Sequence, residues 1–355
     1  MKARLIIPWF IPHAGCPHTC RFCNQHQVSG EGEGIPSDSQ LTEGIRQWLT
    51  HSPRRPAEVA FYGGSFTLLP RAEQSRLIET ARRFNTDGVT GIRISTRPDA
   101  VSDETCQFLR QAGVTTVELG VQSLSDHVLR ASGRGHTAQD SLQALARLAS
   151  YGFSVGAQLL PGLPGDSLDQ ARASLKGVVD AGATFVRIYP ALVLSGTALA
   201  EDYLHGSYQP LTLDQAVDWC AALHAEADTL AVPVIRTGLQ DEPSISGSST
   251  VLAGPWHPSF GALVQAARWR YLLESILEGF RDTDVTIIGA QRLQSVLIGH
   301  TGSTRKQLEA AGLRVVFTVD TQNELSDRQI CIRTPSETFF ADLGRYPYPG
   351  GSISI

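Results

Sequence analysis

The chain has 355 residues, 42% of them hydrophobic and 18% charged, with a formal net charge of -5. That length predicts one large domain with a smaller one attached, and the charge excludes a global nucleic-acid footprint while allowing a local basic patch. No apolar run approaches the ~20 residues of a bilayer-spanning helix, and the opening KARLIIPWFI meets a cysteine cluster without a small-residue cleavage site, so a cytoplasmic location is expected.

From the N-terminus, six short runs rich in Val, Ile, Phe or Tyr read as strands: residues 4–10, 58–63, 91–96, 115–121, 154–160 and 184–190. Segments of helical period lie between them. Ser167 stands three before Gln170 and opens a helix that Gly182 closes; Thr212 stands three before Gln215 and opens another. Repeated strand–helix alternation predicts parallel strands with right-handed crossovers. Six units fall short of an eight-stranded barrel, so the fold class is α/β, a partial (β/α)6 TIM-like barrel over residues 1–236. Past that point the chain becomes rich in Gly, Ser and Pro. A helix (261–279), a strand (284–290), a helix (303–312) and a β-run (313–320) then predict a small C-terminal α/β accessory domain within 237–355, and 345–355 read as a loose tail.

The stretch HAGCPHTCRFCNQH (13–26) holds three of the six cysteines, Cys16, Cys20 and Cys23, spaced C-x3-C-x2-C. A disulfide leaves an odd thiol in a reducing compartment. Zinc takes four ligands, and His13, His18 or His26 could complete a set. A [4Fe–4S] cluster needs only three thiolates to keep one iron open. The loop follows a strand directly, and α/β folds place their ligands at the carboxyl ends of strands. Cys106, Cys220 and Cys331 are isolated in apolar patterns and read as core residues.

The cysteine spacing, with Phe22 just before the last cysteine, resembles the radical S-adenosylmethionine (radical SAM) superfamily. The resemblance continues through FYGGSF (61–66), STRPD (95–99), VELGVQS (117–123), GRGH (133–136), QLLPGLPG (158–165) and RIYP (187–190), and covers roughly residues 4–240. It is closest to the core of Elongator subunit 3, with the oxygen-independent coproporphyrinogen III oxidase group beside it.

What the resemblance implies is an enzyme in which Cys16, Cys20 and Cys23 hold the cluster and SAM chelates the open iron. Reductive cleavage of SAM then gives a 5′-deoxyadenosyl radical that attacks a tRNA base or a small molecule. The implied cofactor contacts are Phe22, Gly63, Gly64, Ser65, Phe66, Ser95, Gln122, Arg134 and Gln158. Gly63 and Gly64 correspond to the pair against the methionyl amino group, and Arg134 is suited to grip the carboxylate with two parallel bonds. Gln158 stands where relatives carry an acidic group near the ribose. Ser95 departs from the pattern, since relatives usually carry Glu there. Arg97, Tyr189 and His257 are candidate substrate contacts. An external reductant of flavodoxin or ferredoxin type is also implied. The roughly 115 residues after the core show no acetyl-CoA-type glycine loop, so the acetyltransferase domain of Elongator subunit 3 is not expected. The competing readings are a catalytically inactive iron–sulfur module and a zinc-stabilised binding domain.

Overall fold

The computed structural model describes residues 5–11, 14–16, 20–24, 34–52, 56–239 and 250–345. In chain order the strands are β1 (Leu5–Phe10), β2 (Ala57–Tyr62), β3 (Val89–Thr96), β4 (Thr116–Gln122), β5 (Ser154–Leu159), β6 (Phe185–Ile188), β7 (Val193–Leu194), β8 (Val234–Thr237), β9 (Val251–Ala253), β10 (Asp284–Gly289), β11 (Arg314–Val319), β12 (Gln329–Arg333) and β13 (Thr338–Asp342). The helices are α1 (Asp38–His51), α2 (Arg71–Arg82), α3 (Asp103–Ala112), α4 (Asp126–Ala131), α5 (Ala138–Ser150), α6 (Leu168–Asp180), α7 (Ala198–Leu204), α8 (Leu213–Thr229), α9 (Phe260–Ile276), α10 (Gln294–Ile298) and α11 (Ser303–Ala310).

Seven strands form one parallel sheet in the order β1-β2-β3-β4-β5-β6-β8, a curled half-barrel with β1 and β8 as its edges. The sheet therefore has one strand more than the six units expected. β8 was missed because it is only four residues long and lies at an edge, half-exposed, so it shows no buried apolar run. Along each central strand, alternate residues do different work. Val59, Phe61, Ile92, Ile94, Val117, Leu119, Val155 and Val186 are buried among the helices in the main core, and their neighbours Glu58, Arg93, Glu118, Gln158 and Arg187 fill the inside of the curl.

The helix starts follow the expected chemistry. The Ser167 side chain accepts from the Gln170 amide, and Thr212 with Gln215 forms a full capping box worth about 1 kcal/mol. Gly182, at φ +108, closes α6 one residue past its cap.

A second sheet, β11-β10-β12-β13, carries a separate apolar core. Its antiparallel strands β12 and β13 were not expected, because QICIR and TFFAD are short and half-polar. Helix α9 joins the two bodies: Phe260, Val264 and Ala267 belong to the first core, Trp269, Leu272 and Leu273 to the second. The expected tail lies outside the described residues, except for Arg345. No described helix is long and apolar enough to cross a membrane.

Candidate functional site

The three motif cysteines sit on the loop after β1, with Cys20 buried and Cys16 and Cys23 half-buried. All six cysteines are free thiols, which removes the disulfide reading. His13, His18 and His26 lie outside the described residues. Among the described residues, no three His, Cys, Asp or Glu side chains stand close enough to ligate one metal ion.

The loop after β2 fixes the first half of the cysteine loop. The Ser65 amide donates to the Ala14 carbonyl at 2.9 Å, and Ser65 Oγ lies 3.3 Å from Cys16 Sγ. This close approach needs glycine on both sides. A Cβ on Gly64 would lie 2.3 Å from the Ala14 carbonyl oxygen, and one on Gly15, at φ +74, would lie 2.4 Å from that of Ser65. The space beside Gly64 is thus filled by the protein's own cysteine loop. Gly63, at φ +91, makes the turn.

The second half of the loop is clamped from the opposite side. The Arg21 amide donates to Ser132, the Arg21 carbonyl accepts from Leu199, and its guanidinium meets Asp202 at 3.0 Å. Asn24 donates to the Ser195 carbonyl at 3.1 Å. The Phe22 ring packs against two small apolar clusters, around Val193 and Leu199 on one side and Val128 and Leu163 on the other. It anchors the loop.

The GRGH and VELGVQS segments meet at Cys20. Arg134 donates from one terminal nitrogen to Cys20 Sγ at 3.1 Å and from the other to the Gly120 carbonyl at 2.5 Å. Gln122 follows a break in the β4–β5 register and has φ +70, an uncommon conformation for a non-glycine residue and one that concentrates at functional sites. Ser95 Oγ, Gln122 Oε1 and Arg134 Nε are buried without a protein partner. Leaving a buried polar atom unpaired costs about 1–3 kcal/mol, and these three atoms are available to a polar ligand.

The remaining expected positions are placed as follows. Phe66 is fully buried against Phe61, with ring centroids 5.4 Å apart, and its side chain is part of the core. Arg97 is nearly inaccessible, held by both Asp99 oxygens at 2.9 and 3.1 Å, and sits within electrostatic range of Cys20 and Cys16 instead of on an open rim. Gln158 donates one amide hydrogen to Glu118 at 3.0 Å, which leaves its oxygen and its second amide hydrogen for other partners. His257 accepts from the Ser259 amide at 3.0 Å, and its ring lies edge-on to His300, 5.5 Å between centroids, so it is tied to the C-terminal body. Tyr189 stays in the lumen, its hydroxyl accepting from Arg187 at 3.1 Å.

Below this wall lies a buried charge network that was not anticipated. Arg93 pairs with Glu58 at 2.7 Å and Glu118 at 2.5 Å, and Arg187 pairs with Glu118 at 2.8 Å. Tyr62 accepts from Arg187 and donates to Glu118. Burial first, then the Glu118 charge, pushes the Tyr62 phenol far up, so it stays protonated and can donate. Two guanidiniums against two carboxylates leave the floor neutral, the condition under which buried ions are tolerated. The available signal was polar residues recurring at one parity on successive strands.

Comparison with known proteins shows the family. Residues 10–176 match the model of the radical SAM superfamily, and 183–270 match that of the Radical_SAM C-terminal domain. The chain belongs to the radical SAM superfamily. It is accordingly an enzyme. A tRNA uridine(34) acetyltransferase of Methanocaldococcus infernus is 32% identical over 151 residues, covering 41% of this chain and 28% of that relative. Elongator complex protein 3 of Saccharomyces cerevisiae is 28% identical over 47% of this chain and 34% of its own length. The uncharacterized protein YtqA of Bacillus subtilis is 28% identical over 58% of this chain and 64% of its own. The chain thus spans about a third or less of the length of the M. infernus and S. cerevisiae relatives. In fold, the solved Elp3 of M. infernus with an N-terminal deletion matches 77% of this radical SAM chain and 63% of its own, with TM-score 0.59 and 23% identity.

Proposed function

We propose that this radical SAM enzyme holds a [4Fe–4S] cluster on Cys16, Cys20 and Cys23 and cleaves SAM reductively. The observation that carries the reading is the convergence on the thiols. Ser65 from the FYGGSF loop touches Cys16, and Arg134 from the GRGH turn donates to Cys20, so separate motifs meet at the cysteine loop.

When bound, the cluster and SAM supply reductive cleavage of the sulfonium and a 5′-deoxyadenosyl radical able to take hydrogen from an unactivated C–H bond. The protein's own contribution is placement. Gly63 and Gly64 let the strand end approach the cysteine loop, while Ser95 Oγ, Gln122 Oε1 and Arg134 Nε offer polar atoms without protein partners. Gln158 contributes its oxygen, and the neutral floor closes the lumen below Tyr62 and Tyr189.

The reading extends to a cytoplasmic enzyme fed by a flavodoxin- or ferredoxin-type reductant, with a core over residues 1–236 and an accessory domain over 237–355. Its substrate is a tRNA base or a small molecule; the name of the M. infernus relative supports the tRNA base. The test is 5′-deoxyadenosine release by anaerobically reconstituted protein given SAM and reductant, with and without tRNA. Release is expected, and stimulation by tRNA supports the base as substrate. No release would reject the SAM-cleaving reading, and release indifferent to tRNA would reject the tRNA one.

A further inference from the structure

The Arg134 side chain is fixed at both ends of its guanidinium before any cofactor is considered. One terminal nitrogen donates to Cys20 Sγ at 3.1 Å, and the other to the Gly120 carbonyl at 2.5 Å. Its own turn is docked on the cysteine loop: the Arg21 amide donates to the Ser132 carbonyl at 3.1 Å, and a Cβ on Gly133 would lie 3.2 Å from Arg21 Cγ. The backbone of the Arg134 turn is therefore held against the cysteine loop. Two further described cations, Arg97 near the thiols and Arg21 on the cysteine loop, are held by Asp99 and Asp202. Arg134 forms no ion pair with a described carboxylate, so its charge is directed at sulfur and at a carbonyl.

Reduction of a thiolate-bound cluster adds negative charge that spreads onto the ligand sulfurs. A cationic donor held against one sulfur stabilises the reduced form more than the oxidised form, and hydrogen bonds to sulfur are among the levers that set cluster potentials. We propose that Arg134 is a positioning residue for the cluster, which raises its reduction potential through Cys20 Sγ and ties the cysteine loop to the strained bulge that carries Gln122. The assignment rests on the cluster reading above, but differs from a methionyl-carboxylate contact, because it acts when no SAM is present.

The experiment compares anaerobically reconstituted wild type with Arg134→Gln and Arg134→Lys. Iron and sulfide content is measured first, and the SAM-free midpoint potential is then followed by EPR during titration with a chemical reductant. Gln keeps a donor but loses the charge, so the reduction equilibrium is expected to shift about tenfold toward the oxidised cluster, which is 59 mV for a one-electron couple. Lys keeps the charge and is expected to stay nearer wild type. If Arg134→Gln takes up no cluster, Arg134→Lys and Arg134→Met, with and without the charge, are compared in the same way. Equal SAM-free potentials in charged and uncharged variants overturn the proposal. So does a loss of SAM affinity with an unchanged SAM-free potential, which would leave Arg134 as a cofactor ligand only. A wild type that binds no iron and sulfide fails at the first measurement and overturns the cluster reading itself, together with the role for Arg134.

Discussion

Gly64→Ala tests whether the meeting of the two loops builds the site. A Cβ at this position would lie 2.3 Å from the Ala14 carbonyl oxygen and 2.7 Å from that of Ile11, where ordinary contact begins near 3.4 Å. Both neighbours are backbone atoms, so relief requires the cysteine loop to retreat by about 1 Å. Overpacking of this kind costs about 1–3 kcal/mol, which the seven-stranded core should survive. The Ser65–Ala14 hydrogen bond and the Ser65–Cys16 contact should not. A displacement of about 1 Å at a reacting centre costs about 100-fold in rate. The expected result is a natively folded protein by circular dichroism, with reduced iron content after reconstitution and 5′-deoxyadenosine release down about 100-fold. Gly261→Ala is the control, because its Cβ would make only an ordinary 3.5 Å contact with Thr237. Normal iron content and a normal rate in Gly64→Ala would refute the reasoning.

Replacing any one of Cys16, Cys20 or Cys23 with Ala should abolish 5′-deoxyadenosine release, and Cys106→Ala, on α3 in the core, should leave it intact; equal loss in all four would break the cysteine assignment. Glu118→Gln should destabilise the protein by about 3–5 kcal/mol, since Arg187 then loses its carboxylate partner and Arg93 keeps only Glu58. An unchanged urea midpoint would contradict that. Stability should also fall with pH through His224. Burial, then Arg268, lowers its pKa to about 3, while the unfolded chain titrates near ~6.5. Below about pH 6.5 the unfolded state binds the proton that the folded state refuses, so up to about 1.4 kcal/mol is lost per pH unit toward acid. Urea titrations from neutral pH down to about pH 5 should show His224→Gln losing less stability than wild type, and parallel losses would remove the histidine from the explanation.

How much of this was visible in the chain depended on whether the signal was local. The first six strands were legible because each is an apolar run bounded by turn residues, and Ser167 and Thr212 marked helix starts by chemistry that acts over three positions. The cysteine spacing and the glycine pair were legible for the same reason. β8 was hidden by its half-exposed edge position, and β12 and β13 by their short alternating patterns. The floor network joins residues 25 and 69 positions apart, and no window along the chain reports such a pairing. Phe66 closes a site motif in the sequence, yet its side chain lies in the core, and burial of that kind has no local mark. The strain at Gln122 could not be read at all, since a positive φ in a non-glycine residue leaves no mark in composition.

The central claim is that three thiols on one loop hold a cluster with an iron open to SAM. Its most direct test is anaerobic reconstitution with iron and sulfide, followed by EPR of the reduced protein before and after adding SAM. The account predicts a [4Fe–4S] signal that changes on SAM addition in wild type and is absent from Cys20→Ala. Stoichiometric zinc with no cluster signal, or a cluster signal that SAM leaves untouched, would contradict it.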